Sequence, residues 1–492
     1  MRAARTIGTI GAAAALCAAA APSAQAARTA PDGPSGAAVT GNACVYPDNT
    51  AAKPHVQPFI HCYTAQQIRD HYGVSGVAEK GDGQTIVLVD AYGTPTGAAD
   101  LQKFHDTFFP TEPDPDYTAV YPNGSPDYHK GSGSGQSGPA GASGWAGEAN
   151  LDIEWAYAIA PHAHIVLIGV PPAETEGVQG FPNLFKAISD QIDANPGGTV
   201  FSMSFGVTEG TFGGAAAGQT AKFDAVFKKG IAKGDTFFAS SGDDGTLGAS
   251  KQHKDSATYS TPTVGWPASS PYVTSVGGTQ LQDGWTWSPQ SDVAFNADGS
   301  YNTDYFNWNV GGDQDVVWNE SWLPSATGGG PSDIYARPSW QSGVLGGQGN
   351  HRLVPDVAWN ASVNGGVLVY TSFFPDVNRV GWHIYGGTSA SSPQVAALTA
   401  LAAQRAGHGL GNINPAIYAS GGSWFTDVVP VHQGGAGVAS GDLTDNQMFD
   451  YNGDGLAVTR DPVTGWPTTA GYDMTTGFGT PAAAAYIAGL AP

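Results

Sequence analysis

Basic side chains are scarce in this sequence: 20 Lys+Arg stand against 42 Asp+Glu in 492 residues, a formal net charge of -22. That balance argues against nucleic acid as a partner, whose phosphates need Lys and Arg, and against an anionic membrane surface. An acidic surface repels itself less as its carboxylates protonate, which fits an acid habitat. Charged residues of both signs reach only 13%, against 41% hydrophobic residues, 69 glycines and 34 prolines. Such a composition excludes disorder and implies many tight turns around a sizeable core. There is no internal repeat, and the length permits one large domain or two to three ordinary ones.

Long apolar runs are confined to the N-terminus. Arg2 and Arg5 precede the apolar stretch Ile7 to Ala21, and Ala24-Gln25-Ala26 is a small-residue cleavage site. Residues 1–26 are therefore expected to be a secretion signal, too short to anchor the chain in a membrane. Cys17 follows the bulky Leu16 and has no leucine three positions upstream, which disfavours lipidation. Only three cysteines occur in all. Removal of the signal leaves Cys44 and Cys62, an even pair in an oxidising compartment, for which a disulfide closing a short loop is expected. Two cysteines alone are not a metal ligand set. Residues 27–56, rich in Ala, Gly, Pro and Thr, are expected to be a short linker without a large prodomain, and 57–492 the main domain. The expected product is secreted, extracellular and monomeric, with no nucleic-acid or membrane partner.

Tyr63 to Tyr72 is predicted to be a short helix capped by Thr64. Gln84 to Asp90 is a continuous β-branched run ending at a polar tip, as in a buried parallel strand. Further strands are predicted at His164–Ile168, Thr199–Ser204, Asp235–Ser240 and Tyr272–Val276, with helices at 150–159, 183–193 and 219–233. Alternation of strand and helix implies an α/β fold with a parallel sheet and functional groups at the strand ends. Residues 283–345 and 421–472 are expected to be long loops.

Three segments carry chemistry. In Gly386-Gly387-Thr388-Ser389-Ala390-Ser391-Ser392-Pro393 the glycines permit a sharp turn, and a strongly helical run follows. Ser389 is thus placed at a helix N-terminus, where free N–H groups favour developing negative charge. As a lone residue it would be read as a helix cap. A serine nucleophile needs a base, normally histidine, yet none of the 12 histidines lies in a His-Gly-x-His helix start. Glu148 and Asp152 instead stand four apart in a helical segment, about 40° from each other on one face. Adjacent carboxyls cannot both ionise easily, so they share a proton and can act as base and then as acid. Read alone they are two helix-surface acids at a like-charge spacing that costs a few tenths of a kcal/mol. Glu154 points away from Glu148 and reads as a solvated or structural acid. The third segment, Ser240-Ser241-Gly242-Asp243-Asp244-Gly245, directly follows a strand. Asp243 is placed to face the site and, when protonated, to donate to an oxyanion; Asp244-Gly245 alone would be a turn.

These motifs, together with Pro267 to Val273, Val276-Gly277-Gly278-Thr279, Gly328 to Ser332, Arg352 to Val357 and Thr475 to Pro481, resemble the sedolisins, the serine-carboxyl peptidases of the subtilisin-like clan. The resemblance runs from about Tyr63 to Pro481. It implies a subtilisin-like parallel central sheet flanked by helices, in a single large catalytic domain with long loops. It also implies Glu148 as general base and acid, Asp152 orienting it, Ser389 as nucleophile and Asp243 at the oxyanion. Ser204, Phe205 and Gly206 would pair with an extended substrate. Many relatives carry tryptophan where this chain has Phe205, so an outer acid network through Asp90 is expected to be shorter. Gly386-Gly387 replaces a common Ser-Gly.

A C-terminal calcium site is likewise implied, mapping to Asp427, Val428, Thr469, Gly471 and Asp473, an all-oxygen set suited to a hard cation. A second loop, Asp450, Asn452, Asp454 and Asp461, is similar to an EF-hand loop but lacks the final Glu; a plain Asp/Asn/Gly loop is the simpler reading. The function so implied is an acid-acting endopeptidase on polypeptide substrates. The alternatives are a tripeptidyl exopeptidase and an inactive binding protein retaining the fold. Subsite preference, natural substrate and control of activity are not legible in the sequence.

Overall fold

The β-branched runs become the centre of one sheet. A computed structural model of the chain describes residues 61–128, 138–171, 178–248, 259–283, 313–320, 324–373, 380–432, 442–451 and 458–492, with short strands at 28–29, 38–40, 43–45, 286–287 and 308–309. Its main sheet contains β1 (Thr85–Ala91), β2 (Tyr117–Val120), β3 (His164–Val170), β4 (Val200–Met203), β5 (Thr236–Ser240), β6 (Thr274–Asp283), β7 (Asp313–Val317) and β8 (Val357–Asn360). Their order is β7-β6-β5-β4-β1-β3-β2, with β8 also paired to β6. Every pairing is parallel except β6 with β7. Ile86, Val87, Leu88 and Val89 are all 0% exposed, which explains a continuous apolar run where a half-buried strand would alternate.

Helices close both faces. Ile86 and Leu88 pack with Leu151 and Ile153 of α3 (Gly138–Ile159) and Val395 and Leu398 of α6 (Thr388–Ala406). Val87 and Val89 pack on the other face with Phe185 of α4 (Phe181–Ala194) and Phe227 of α5 (Ala216–Ile231). Two shorter helices precede these, α1 (Ala65–His71) and α2 (Gly97–Phe108). Thr64 caps α1 in a capping box: its side chain accepts from the Gln67 N–H while the Gln67 side chain accepts from the Thr64 N–H. A hairpin of β9 (Gly366–Thr371) and β10 (Gly381–Gly386) leads into α6 and belongs to a second sheet. In that sheet Cys44 and Cys62 stand opposite each other on neighbouring antiparallel strands.

The expected strands fall in place with ends displaced by a few residues, but three features differ from expectation. Helix α3 starts at Gly138, well before 150. The region expected to be loops from 283 to 345 contributes β7 as an antiparallel sheet edge and a further strand at Gly330–Ala336. Residues 421–472 hold short strands at Phe425–Thr426, Phe449–Tyr451 and Val458–Arg460. Among the described residues no helix is long and apolar enough to cross a membrane.

At the sheet end where β1 begins, His162 bridges two carboxylates, Nδ1 to Asp82 Oδ1 at 2.8 Å and Nε2 to Glu112 Oε2 at 2.9 Å. Gln404 of α6 donates to Asp82 Oδ2 at 3.0 Å, so the cluster ties α6 to the loops before β1 and β3. Partial burial opposes protonation of His162, but the two hydrogen bonds outweigh it and raise its pKa. Asp82 is lowered chiefly by the His162 hydrogen bond. Burial works against Glu112, whose pKa is nonetheless lowered by Lys80 and His162. The raised histidine contributes stability fully below its unfolded value of about 6.5, lost as pH rises through the folded one. The depressed carboxylates contribute above their unfolded values of about 4, lost as pH falls through the folded ones. The cluster therefore stabilises most between about pH 4.5 and 6.5. His162→Gln should lower the melting temperature by about 1–3 °C at pH 5, with the difference from the parent shrinking as pH rises through the raised His162 value; thermal melts across a pH series measure it.

Candidate active site

Helix α3 carries Glu148 and Asp152 one turn apart, and both are 0% exposed. The Asp152 carboxylate receives the Ser204 hydroxyl at 3.0 Å on Oδ1 and 2.8 Å on Oδ2. Burial pushes the Asp152 pKa well above the usual carboxylate range; the negative charges of Asp90 and Glu148 push it further, against the Ser204 bond. Asp90 sits near the carboxyl end of β1, also 0% exposed, with its pKa pushed up to about 8 by burial. Three acids thus share one fully buried neighbourhood, and the charges acting on Asp152 are those of Asp90 and Glu148. Glu154, on the same helix, is buried and not solvated: its Oε2 accepts the Tyr370 N–H at 2.9 Å, and burial raises its pKa.

The serine turn stands across the same face of the sheet. Gly387, with φ 103°, precedes Thr388, the first residue of α6, and its N–H donates to the Ala361 carbonyl at 2.6 Å. Only glycine takes that backbone conformation without strain. Ser389 is the second residue of α6 and 0% exposed. The turn is pinned by its neighbours: Ser391 donates to the Trp359 carbonyl at 3.0 Å, and Ser392 meets Ser202 of β4, Oγ to Oγ, at 2.8 Å.

Asp243 follows β5 and is 0% exposed. Its Oδ1 accepts both the N–H and the hydroxyl of Thr388 at 2.8 Å each. Thr388 Oγ1 in turn accepts the Gly242 N–H at 3.0 Å. With Oδ1 occupied as a double acceptor, protonation of this carboxyl places its hydrogen on Oδ2. The acid is thereby oriented by the residue next to Ser389. Its main chain is held as well, since the Asp243 carbonyl accepts the Ala326 N–H at 2.9 Å.

The segment Ser204–Gly206 runs irregularly from β4 into Val207–Thr208, which pairs antiparallel with Gly265–Trp266. Ser204 spends its hydroxyl on Asp152, a role the sequence reading had not given it. Phe205 is 0% exposed and packs 6.2 Å from Phe181. What remains for a ligand along this edge is backbone.

At the C-terminal end Asp427 Oδ2 accepts the Gly471 N–H at 2.8 Å, and Asp473 Oδ2 the Thr469 N–H at 2.8 Å. Both carboxylates therefore bracket the 469–471 turn, with Val428 buried beside them. Asp473 Oδ1 also accepts the N–H and hydroxyl groups of Thr475 and Thr476. Asp427 and the 469–471 backbone are exposed while Asp473 is buried; among the described residues no three His, Cys, Asp or Glu side chains cluster as metal ligands, so a hard cation here would rest on two carboxylates and backbone carbonyls. Of the second loop, Asn452 and Asp454 lie outside the described residues, as does the side chain of Asp450. Asp461 turns its Oδ1 to the Val463 N–H at 2.8 Å.

Comparison with known proteins agrees with this fold. The pattern of the Subtilase family matches residues 81–416. Sedolisin from Pseudomonas sp. (strain 101) is 32% identical over 268 residues, 54% of this chain and 39% of that protein. Tripeptidyl-peptidase SED2 from Arthroderma otae is 31% identical over 300 residues, 58% of this chain and 40% of that protein. The solved structure of Pseudomonas sedolisin, a serine-carboxyl proteinase complexed with two molecules of pseudo-iodotyrostatin, superposes with a TM-score of 0.62 at 25% identity, covering 87% of this chain and 97% of that one. The chain belongs to the subtilase family, in its sedolisin-like group. Its matches span about two-fifths of the length of these curated relatives.

Asp90→Asn removes a neighbouring negative charge and should move ionisation of Asp152 to lower pH. Titration of the carboxyl carbons by NMR in the two proteins measures the shift; an unchanged Asp152 curve would separate the two acids.

Proposed function

We propose that this chain is an acid-acting serine-carboxyl endopeptidase. The observation that carries the reading is the fully buried pair Glu148 and Asp152, one turn apart on α3, where a serine hydrolase ordinarily offers histidine. Ser389 Oγ attacks the peptide carbonyl carbon while its proton passes to Glu148. Asp152 shares that proton's charge, so the pair accepts it at a pH where an exposed glutamate would stay ionised. Asp243, protonated, donates from Oδ2 to the carbonyl oxygen as it gains negative charge. Collapse of the tetrahedral adduct breaks the C–N bond, and Glu148 returns the proton to the leaving amine. Water then attacks the acyl-Ser389 ester with Glu148 as base, releasing the acid and restoring the hydroxyl. The need for a protonated Asp243 sets the acid working range.

Substrate is taken as an extended polypeptide along the backbone of Ser204–Gly206. A tripeptidyl-peptidase mode is the second reading, favoured by the likeness to tripeptidyl-peptidase SED2. The same proposal assigns residues 1–26 to a secretion signal, 27–56 to a linker and 57–492 to the peptidase domain, in a secreted monomer. A Cys44–Cys62 disulfide is supported by their opposed register. Calcium would be held by Asp427, Asp473 and carbonyls of Val428, Thr469 and Gly471, and would brace the C-terminal turn.

Cleavage of denatured protein should peak in acid and be abolished by Ser389→Ala and Glu148→Ala. Asp243→Ala should lower kcat by about 100- to 1,000-fold. A pH–rate profile on the parent and the three variants measures all of this; activity peaking above neutrality, or surviving in Glu148→Ala, overturns the assignment. Chelation should lower the melting temperature of the parent, with restoration by calcium and no such response in Asp427→Ala.

A further inference from the structure

Tyr385 lies on β10, four residues before Ser389, and is 3% exposed. Gly147 lies on α3, directly before Glu148. A methyl group built on Gly147 would stand 2.1 Å from the Tyr385 hydroxyl oxygen, 2.9 Å from Cζ and 3.2 Å from Cε1. The end of the phenol therefore rests on bare helix backbone, in space that a side chain at 147 could share only if the buried Tyr385 ring moved. The same helix meets the same hairpin twice more. Glu154 Oε2 accepts the Tyr370 N–H at 2.9 Å, and Trp155 Nε1–H donates to the Leu368 carbonyl at 2.9 Å. Positions 147, 154 and 155 recur at seven and eight residues, one stripe of the helix.

The far side of β10 is equally tight. A methyl on Gly366 would lie 2.4 Å from the Tyr385 carbonyl oxygen, and one on Gly386 would lie 2.5 and 2.6 Å from the Ser362 and Ala361 carbonyl oxygens. These two glycines let β10 and the 361–366 backbone approach closely, and the strand continues directly into the serine turn.

We propose that the β9–β10 hairpin sets the separation between the Glu148 helix and Ser389, with Tyr385 as the positioning residue and Gly147 as the seat it requires. This rests on the function proposed above. A helix can pack on a hairpin for stability alone; here the contact falls one residue from the base on one side and four from the nucleophile on the other. Any displacement of Tyr385 relative to Gly147 passes into the base-to-nucleophile distance. Misplacement of reacting groups by about 1 Å costs about 100-fold in rate.

The experiment is a double-mutant cycle on the full-length mature protein, read as kcat and KM for a peptide substrate at acid pH. Far-UV circular dichroism establishes folding. Gly147→Ala should lower kcat about 100-fold with KM within about threefold. Tyr385→Leu should also lower kcat, because the spacer is shortened. The pair Gly147→Ala/Tyr385→Leu should recover at least about tenfold of the Gly147→Ala loss, since the shorter side chain admits the methyl. Folded Gly147→Ala with parental kcat overturns the proposal, as does a double variant no faster than Gly147→Ala. Should Gly147→Ala fail to fold, Tyr385→Leu decides alone: a folded variant with parental kcat overturns it. Failure of the functional reading is distinct, since the parent itself would then lack Ser389-dependent acid cleavage.

Discussion

Carboxyl groups held beside one another out of reach of water govern this structure. Asp90, Glu148, Asp152 and Asp243 are each 0% exposed. Ionising an unpaired buried carboxylate costs several kcal/mol. A protein can answer with a cation or with a proton. Elsewhere this chain uses the cation: Arg352 binds Asp356 in a fully buried pair at 2.7 Å, and Tyr418 and the Ser275 N–H complete the shell at 2.7 and 2.8 Å. Around Asp152 it uses protons, because its electrostatic partners are two further acids. The first arrangement fixes a charge permanently; the second leaves a proton free to move.

A mobile proton is useful only if the heavy atoms around it are fixed, and the fold supplies that. The parallel sheet puts β1, β4 and β5 side by side, so that Asp90, Ser204 and Asp243 all emerge near their carboxyl ends. Helices α3 and α6 share one face of that sheet and bring the acid pair and the serine turn to it. Thr388, next to Ser389, then bonds Asp243, and Ser392 joins α6 to β4. Each of these links is a short hydrogen bond between small side chains, which lose little conformational entropy when ordered.

Much of this was legible in the sequence because it is local. The run from Gln84 to Asp90 named a buried parallel strand, Thr64 named a helix start, and the glycines before Ser389 named its turn. The spacing of Glu148 and Asp152 put them on one helix face without any coordinates. The first half of α3 was not legible: Gly138, Gly141, Gly144 and Gly147 make it a poor helix by propensity, and packing overrides that. Gly147 is there because Tyr385, 238 positions later, leaves no room for more. Nor could a local reading foresee that Ser204 turns to Asp152, or that Glu154 is buried against β9, since both depend on contacts across the sheet. The antiparallel edge β7 was hidden for a similar reason, in a stretch whose composition resembles that of loops.

The scaffold and the site also agree on pH. With Lys and Arg scarce, histidine supplies many of the cations in the described ion pairs: His71 faces Asp315 at 3.0 Å, His162 faces Asp82 and Glu112, and His432 faces Asp442 at 3.2 Å. These pairs are ionic only while the imidazole is protonated, and for His162 the two carboxylates extend that range upward. The same range favours the protonated forms of Asp90 and Asp152, whose pKa values burial raises, and lowers the self-repulsion of a chain carrying -22 formal charges at neutrality. Raising the pH therefore acts on all three at once. It removes histidine cations, ionises buried carboxyls and increases surface repulsion, each in the direction of loosening the fold. A lysine-rich surface would keep its ion pairs above neutrality, so the use of histidine as a cation suits the acid working range proposed for this chain.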